Sequence, residues 1–299
     1  MLNAENNESM GPGLSDLADG QDYPEGALYV VAVPIGNMAD ITVRALKVLG
    51  LVDVVAAEDT RCTMRLLNRY GIRKNLVSVR EHNEAAQSDM IIQRLRKGQR
   101  IALVTDAGTP GISDPGARTV SAVSRAGLRV VPVPGPSALV CAVSAAGLAE
   151  GGFTFAGFLP AQQAAMTKAL EKLARTGEAF VLYEAPHRIA RVFAAMAGAL
   201  DAQRQVTVCR ELTKRFEEIR NVTAGELPGM FAEGEPLGEF VVVVHPAGRK
   251  AGRVDERDAL WIEALREELP PARLAGVASK VTGCRRKELY ALIGGRDEA

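Results

Sequence analysis

The chain has 299 residues, of which 47% are hydrophobic, and 36 basic side chains balance 36 acidic ones. No apolar run approaches the roughly 20 residues that span a bilayer, and the first residues lack the basic segment and apolar core of a secretion signal. The four cysteines lie far apart and only three histidines are present, so the sequence predicts no metal site. We therefore expect a cytoplasmic protein of two domains, since a domain has roughly 150 residues.

The first 25 residues differ in composition from the rest of the chain. They contain six acidic side chains and neither Lys nor Arg, so the remaining body carries a net charge of +6. Their low apolar content predicts a disordered acidic tail over residues 1–25. The positive excess of the body permits a polyanionic partner without demanding one.

Strands alternate with helices from residue 27 onward. The run 27–33 is apolar and rich in β-branched residues, which is typical of a strand covered on both faces. Asp40 or Thr42 is predicted to cap the helix that follows it. Further strands are expected at 52–57, 101–104 and 130–133, and further helices at 61–70, 115–126 and 137–146. This alternation predicts an N-terminal α/β domain over residues 26–147 with a mostly parallel sheet.

A loop of changed composition at 147–152 precedes a second predicted α/β domain, residues 148–247. Its strands are expected at 153–156, 179–183, 205–209 and 240–244, with helices at 161–175 and 187–200. Residues 248–299 are predicted to form a small helical extension, broken by the pair Pro270-Pro271.

The segment 104–116 carries the strongest signal of a ligand site. It follows a predicted buried strand, precedes a helix, and contains three glycines and two prolines after its first few residues. In open parallel sheets, ligands bind at the carboxyl ends of strands, and a loop with little side-chain bulk lets the backbone approach a ligand closely. Segments 33–37 and 133–138 have the same character. The sequence thus predicts that three neighbouring strand ends form one continuous floor.

Two common cofactor signatures are absent. The chain has no G-x-G-x-x-G after the first predicted strand and no G-x-x-x-x-G-K-[ST] anywhere. Their absence argues against a standard dinucleotide site and against a nucleoside-triphosphate site.

Several of these segments resemble the tetrapyrrole-methylase superfamily, and within it the branch called ribosomal RNA small subunit methyltransferase I. The resemblance to the superfamily rests on residues 28–37, 57–61, 105–116 and 133–138. The resemblance to the branch rests in addition on residues 182–188, 209–214 and 238–240. Together the matching segments lie within residues 27–292, nearly all of the chain that we expect to be ordered.

The resemblance implies a fold, a cofactor and a reaction. It implies two α/β domains with a cleft between them, in which S-adenosylmethionine lies folded, and it implies a homodimer. The implied reaction is 2′-O-methylation of the ribose of a decoding-centre cytidine, cytidine 1402 of 16S rRNA, within the 30S subunit. At matching positions, the residues implied to contact the cofactor are Pro34, Ala107, Gly108, Thr109, Ile112, Ser137, Ala138, Tyr183, Glu184 and Leu212.

The central loop departs from the pattern of the relatives that methylate tetrapyrroles. Those relatives carry Gly-Asp-Pro where this chain has Gly108, Thr109 and Pro110. The departure argues against a porphyrin-type substrate and against an acidic role at this loop position.

The clustering of basic residues along the sequence is compatible with an RNA partner. Six of them and no acid lie between Asp59 and Glu81, and the spacing of Arg61, Arg65 and Arg69 places all three on one helix face. A solvated face is the usual explanation for such a run, but this one begins at a strand end near the predicted floor, which favours phosphate contact. The expected RNA-binding residues are Arg61, Arg65, Arg69, Lys74, Lys280, Arg285, Arg286 and Lys287. The last four belong to the helical extension, for which packing in a dimer or against a domain is an equal alternative.

The implied reaction requires removal of a proton from a ribose hydroxyl, which profits from a positioned base. The candidates are Glu58, Asp59 and His82, with Arg61 orienting a phosphate. Each base has a structural alternative. Asp59 can cap the next helix, Glu58 can pair with an arginine, and His82 can be an ordinary loop residue.

Two other functions stay open at this point. A small-molecule methyltransferase of the same fold, acting for instance on a tetrapyrrole, would lack a basic approach to its cleft. A non-catalytic ribosome-assembly factor that binds RNA would carry blocking side chains where Gly108 and Ala138 leave room, and these small residues speak against it.

Overall fold

The computed structural model describes residues 16–80, 83–148, 151–231, 237–247, 254 and 256–294. The chain falls into two compact units, and each is made of two stretches of sequence. The first unit comprises Met1–Ala145 and Glu211–Glu218, and the second comprises Ala146–Arg210 and Ile219–Ala299. The short segment 211–218 thus belongs with the first unit although its flanks belong to the second.

The first unit is built on a five-stranded sheet in which each strand is followed by a helix. The strands are β1 Ala27–Val31, β2 Val54–Ala57, β3 Asn75–Ser78, β4 Ile101–Val104 and β5 Arg129–Val133. The helices are α1 Val43–Leu51, α2 Thr60–Arg69, α3 Glu84–Arg96, α4 Ala117–Arg125 and α5 Ala138–Ala146. The strand order is β3-β2-β4-β1-β5 and every pair is parallel, as the alternation in the sequence predicts.

Helices cover both faces of this sheet. Because side chains alternate along a strand, Leu28 and Tyr29 of β1 are both fully buried but belong to different cores. The core around Tyr29 includes Leu49 of α1 and Leu67 of α2, whereas the core around Leu28 includes Ile91 of α3. Burial on both faces explains why the inner strands read as continuous apolar runs.

Two elements of the first unit escape the sequence prediction. The edge strand β3 is only partly buried, so it lacks the apolar run by which the inner strands are predicted. Helix α3 has only four buried positions, and two of them are the polar residues Glu84 and Ser88. The cap of α1 is Thr42 rather than Asp40, since the Thr42 side chain accepts a hydrogen bond from the Ala45 amide at 3.0 Å.

The prediction of a disordered tail over residues 1–25 is wrong for residues 16–25, and residues 1–15 lie outside the described residues. The Tyr23 hydroxyl donates to the Ala18 carbonyl at 2.8 Å, and Ala18 is buried. Arg100 donates to the Tyr23 carbonyl at 2.9 Å and pairs with Glu25 at 3.3 Å. The acidic segment is therefore ordered through contacts with basic side chains of the body.

The second unit contains a mixed sheet of five strands. They are β6 Phe153–Phe158, β7 Ala179–Glu184, β8 Gln205–Arg210, β9 Glu218–Thr223 and β10 Phe240–Val244, in the order β6-β7-β10-β8-β9. Strand β10 is antiparallel to both of its neighbours, while β6 and β7 are parallel. Strand β9 was not predicted, because its sequence is mostly polar and its residues are exposed or half-buried.

Helices α6 Gln163–Arg175 and α7 Pro186–Ala199 contribute to the main core of the second unit. Three further helices follow: α8 Glu256–Ala264, α9 Pro271–Thr282 and α10 Arg286–Leu292. They share a small core of their own that includes Ile262, Leu274 and Leu289. No helix in the described part of the chain combines the length and the apolar character needed to cross a membrane.

Candidate active site

Three loops meet at one edge of the first sheet. Strands β4, β1 and β5 are neighbours and run parallel, so their carboxyl ends lie side by side. The amides and carbonyls of Val33 and Gly108 exchange two hydrogen bonds of 2.9 and 3.0 Å. The Thr109 hydroxyl donates to the Pro136 carbonyl at 3.0 Å. The predicted adjacency of the three strand ends is confirmed, and the loops are held together by direct hydrogen bonds.

Glycine keeps this floor bare. Gly108 has φ +79°, a conformation that side chains rarely adopt, and a Cβ there would lie 3.5 Å from Cγ2 of Ile35. A Cβ at Gly135 would lie 3.0 Å from Cβ of Ala32. Gly108 and Gly135 thus let the three loops approach one another with peptide groups rather than side chains between them.

Glu84 holds the far end of the central loop. This side chain, at the start of α3, is only 4% exposed, and its Oε1 accepts hydrogen bonds from the amides of Gly116 and Thr119 at 3.1 and 2.9 Å. Gly116 and Thr119 lie at the amino end of α4, whose dipole favours a negative charge. A residue distant in sequence therefore caps α4 and fixes the loop that leads into it.

We expect Glu84→Ala to lower the free energy of unfolding by about 2–4 kcal/mol, because it leaves buried amides without an acceptor. Glu84→Gln keeps an acceptor oxygen and should cost less. Urea unfolding followed by circular dichroism measures both. Equal stability of the alanine variant and the wild type would show that Glu84 is not a cap.

Carboxylates surround the beginning of the central loop. Thr105, which is buried, donates its hydroxyl to Oε2 of Glu58 at 2.8 Å. Oδ1 of Asp106 accepts a hydrogen bond from the Asp59 amide at 3.1 Å. Burial first, and then the charges of Glu58 and Asp106, raise the pKa of Asp114 to about 6, while its contact with Thr105 opposes the shift. The sequence prediction missed Asp114, although it lies in the predicted ligand loop.

Asp59 is unsuited to the role of general base that the sequence suggested. Its Oδ1 accepts from the Arg61 amide at 2.8 Å, which caps α2, and its Oδ2 pairs with the Arg61 guanidinium at 2.9 Å. These hydrogen bonds from Arg61 lower the pKa of Asp59 to about 2. A carboxylate held in this way takes up a proton poorly at neutral pH. Of the other two base candidates, Glu58 is bonded to Thr105 and His82 lies outside the described residues.

The basic side chains of α2 lie as their spacing predicts. Arg61, Arg65 and Arg69 are all exposed, while Leu67 is buried. Met64 of the same helix is an apolar residue but is 51% exposed.

The other basic residues predicted to bind RNA divide into two groups. Lys74 is half-buried and its ammonium group donates to the Val52 carbonyl at 2.7 Å, so a local role already accounts for it. The four basic residues predicted in the helical extension are all exposed: Lys280, Arg285, Arg286 and Lys287.

In the second unit, Tyr183 and Glu184 lie at the end of β7. The Tyr183 ring makes edge-to-face contacts with Phe155 and Phe158, with centroid distances of 4.9 and 5.8 Å. The Glu184 side chain is 1% exposed, and its Oε1 accepts from the Ala185 amide at 2.9 Å. Its Oε2 is buried and has no hydrogen-bond partner in the described part of the chain. A buried acceptor without a partner is costly, so this oxygen fits a donor from a bound ligand.

The remaining residues implied to contact the cofactor occupy varied environments. Pro34 is buried in the β1 loop, Ala107 and Ile112 are exposed in the central loop, and Ser137 and Ala138 are half-buried at the start of α5. Leu212 is buried and belongs to segment 211–218, hence to the first unit rather than to the second domain as expected.

Comparison with known proteins identifies the family. A model of the family described as Tetrapyrrole (Corrin/Porphyrin) Methylases matches residues 27–228. The chain is 45% identical to ribosomal RNA small subunit methyltransferase I of Mesorhizobium japonicum, over 89% of this chain and 90% of that protein. It is 42% identical to the protein of the same name from Escherichia coli O157:H7, over 90% of this chain and 95% of that protein. The chain belongs to the tetrapyrrole methylase family, in the branch that contains these two relatives.

Solved structures agree on the fold of this family. The methyltransferase CobJ matches with a TM-score of 0.57 at 20% identity, covering 76% of this chain and 96% of that one. A cobalt precorrin-4 methyltransferase matches with a TM-score of 0.55 at 20% identity, covering 75% of this chain and 98% of that one. At these identities the likeness supports the architecture alone.

Proposed function

We propose that this chain transfers a methyl group from S-adenosylmethionine to the ribose 2′-hydroxyl of a decoding-centre cytidine in 16S rRNA. The single observation that carries the proposal is the floor at the ends of β4, β1 and β5, where hydrogen-bonded peptide groups and Gly108 leave the surface bare. The relatives that share about 90% of the chain are named for the small ribosomal subunit, which supports RNA as the substrate.

Residues in each unit, taken separately, suit such a donor. In the first unit, Pro34, Gly108 and Ala138 stand at the three strand ends and present little side-chain bulk. In the second unit, the unpartnered Oε2 of Glu184 suits a hydroxyl or amine hydrogen. S-adenosylmethionine, when bound, supplies a methyl group that is already activated as a sulfonium. The protein must then align the ribose hydroxyl and exclude water.

The exposed face of α2 is the proposed contact with the RNA backbone. Arg61 is held by Asp59 at the amino end of the helix, and Arg65 and Arg69 extend from it toward the carboxyl end. Arginine side chains on one face are suited to neutralising successive phosphates. We propose the exposed basic residues of the helical extension as a second contact, with packing in a homodimer as the alternative.

We expect the double variant Arg65→Glu and Arg69→Glu to raise the KM for 30S subunits. The slope of the logarithm of the binding constant against the logarithm of the salt concentration should fall by the contribution of about two phosphate contacts. The affinity for S-adenosylmethionine should not change. A filter-binding titration at several salt concentrations measures the effect. Arg96→Glu, on the exposed side of α3, is the matched control. Unchanged methylation by the double variant would remove α2 from the RNA interface.

The decisive experiment incubates the protein with labelled S-adenosylmethionine and 30S subunits from cells that lack the enzyme. Label should enter 16S rRNA and be recovered as a 2′-O-methylated cytidine after digestion to nucleosides. Absence of label would refute the proposal. Label on a tetrapyrrole offered in parallel would instead support the small-molecule alternative. If calorimetry detects no heat of binding for the methyl donor, the result would favour a non-catalytic RNA-binding factor.

A further inference from the structure

Two carboxyl groups near the floor have environments that differ in kind. Glu58, at the end of β2, accepts a hydrogen bond from the Thr105 hydroxyl at 2.8 Å. Asp114, at the far end of the central loop, is half-buried and also contacts Thr105. A threonine hydroxyl has one proton to donate. Glu58 and Asp114 therefore share a single donor, and its contact with Asp114 only partly opposes the rise in the pKa of Asp114.

This arrangement makes Asp114 more basic than a carboxyl group in water. Its charge is desolvated, and it faces the negative charges of Glu58 and Asp106. A proton on Asp114 removes that repulsion. Paired carboxyl groups with contrasting environments divide the roles of proton acceptor and fixed charge in this way.

The backbone around Asp114 is held in a fixed conformation. The preceding residue, Ser113, has φ +63°, one of three non-glycine residues with positive φ among the described residues. Strain of this kind persists where the surrounding structure fixes it. The amide of Gly111 donates to the Pro115 carbonyl at 3.2 Å, and Gly116 is held by Glu84, so the chain on both sides of Asp114 is anchored.

We propose that Asp114, with Glu58 and Thr105 as its supporting partners, accepts the proton that the ribose hydroxyl loses during methyl transfer. The inference rests on the proposed function and identifies the general base of the proposed methyl transfer. As the hydroxyl oxygen forms its bond to the methyl carbon, the bond from that carbon to sulfur breaks and its electron pair stays on sulfur. The hydroxyl proton passes to the Asp114 carboxylate. Water takes the proton after the products leave, which restores the ionised Asp114.

The charged groups around Asp114 set the pH dependence. Glu58 from the end of β2 and Asp106 from the end of β4 both favour the protonated form of Asp114. Two cations lie at the same strand ends, but Arg61 is paired with Asp59, and Nε of Arg80 donates to the Glu58 carbonyl at 3.2 Å. Since the pKa of Asp114 is about 6 and its ionised form is the acceptor, kcat should fall as the pH drops through about 6.

The test measures kcat for 30S methylation from pH 5 to 9, together with S-adenosylmethionine affinity by calorimetry. Asp114→Asn should lower kcat about 10²- to 10⁴-fold, the usual contribution of a general base, and leave donor affinity within twofold of wild type. Glu58→Gln should retain measurable kcat with the acid limb moved to lower pH, because one of the charges that raise the pKa of Asp114 is gone. Asp89→Asn, an exposed carboxyl on α3, should behave as wild type.

Two results would overturn the inference while leaving the proposed function standing. One is a wild-type kcat for Asp114→Asn across the pH range. The other is a Glu58→Gln variant that loses kcat as completely as Asp114→Asn with no shifted limb, which would make Glu58 the acceptor. A wild-type protein that labels no 16S rRNA at any pH would instead refute the proposed function itself.

Discussion

Gly108→Ala is expected to weaken binding of S-adenosylmethionine by up to about a hundredfold, whereas Gly127→Ala should leave it unchanged. Both glycines have positive φ, +79° and +72°, so both replacements carry the same kind of backbone penalty, roughly 1–2 kcal/mol. Only Gly108 lies in the floor, where a Cβ would stand 3.5 Å from Ile35 and 3.9 Å from the Pro136 carbonyl. Both are ordinary van der Waals distances, so the protein itself accommodates the methyl group. The expected loss comes from the space that the methyl group takes from the proposed donor, where overpacking costs about 1–3 kcal/mol, equivalent to roughly 10- to 100-fold in affinity.

Calorimetric titration with the methyl donor, at a temperature where both variants are folded, separates the two effects. Gly127 follows α4 and has no atom within 4 Å of an added Cβ, so its alanine variant reports the backbone penalty alone. If both variants bind the donor equally well, the ends of β4, β1 and β5 do not form the floor of its site.

Arg204→Ala is expected to lower the free energy of unfolding of the second unit by about 3–5 kcal/mol. Arg204 is only 7% exposed, and its guanidinium donates to the carbonyls of His245 at 2.9 Å, Glu178 at 2.6 Å and Ala174 at 3.4 Å. It also lies 5.6 Å from the centroid of the Phe180 ring. One side chain thus donates to three carbonyls. The Ala174 carbonyl also accepts from the Gly177 amide at 3.2 Å, so the loss of Arg204 falls mainly on the carbonyls of His245 and Glu178.

Two conservative variants distinguish hydrogen bonding from packing. Arg204→Met retains the aliphatic stem over Phe180 but no donor, and it should be almost as destabilised as the alanine variant. Arg204→Lys retains a charge and should recover part of the loss, since a single ammonium cannot reproduce the spread of a guanidinium. Scanning calorimetry, with the two units followed as separate transitions, measures the three variants. A methionine variant as stable as the wild type would assign the role of Arg204 to packing alone.

The floor of the site could be predicted because its signals are local. Gly108 and Pro110 follow the apolar run of the inner strand β4, and Gly135 follows that of the edge strand β5. Parallel strands bring their carboxyl ends to one edge. The spacing of the arginines on α2 likewise sufficed to place Arg65 and Arg69 on an exposed face. These predictions need periodicity and turn chemistry alone.

The chemistry of the carboxyl groups could not be predicted in the same way. Asp59 and Asp114 are both aspartates that follow predicted strands, yet one pKa lies near 2 and the other near 6. The difference comes from Arg61 in one case and from burial beside Glu58 in the other. Arg61 is a local neighbour of Asp59, two residues along the chain, whereas Glu58 and Asp114 come together only when β2 and β4 pair. For the same reason the cap that Glu84 forms on α4 carries no signal in the sequence.

The division of the first unit into Met1–Ala145 and Glu211–Glu218 has a consequence for how the protein is made. During translation, the first 145 residues emerge from the ribosome well before the eight residues that complete their unit. Early folding of that unit therefore proceeds without its last piece, and a fragment cut at residue 145 would lack it permanently. The nascent chain finishes its first unit only after the first stretch of the second, Ala146–Arg210, has been synthesised.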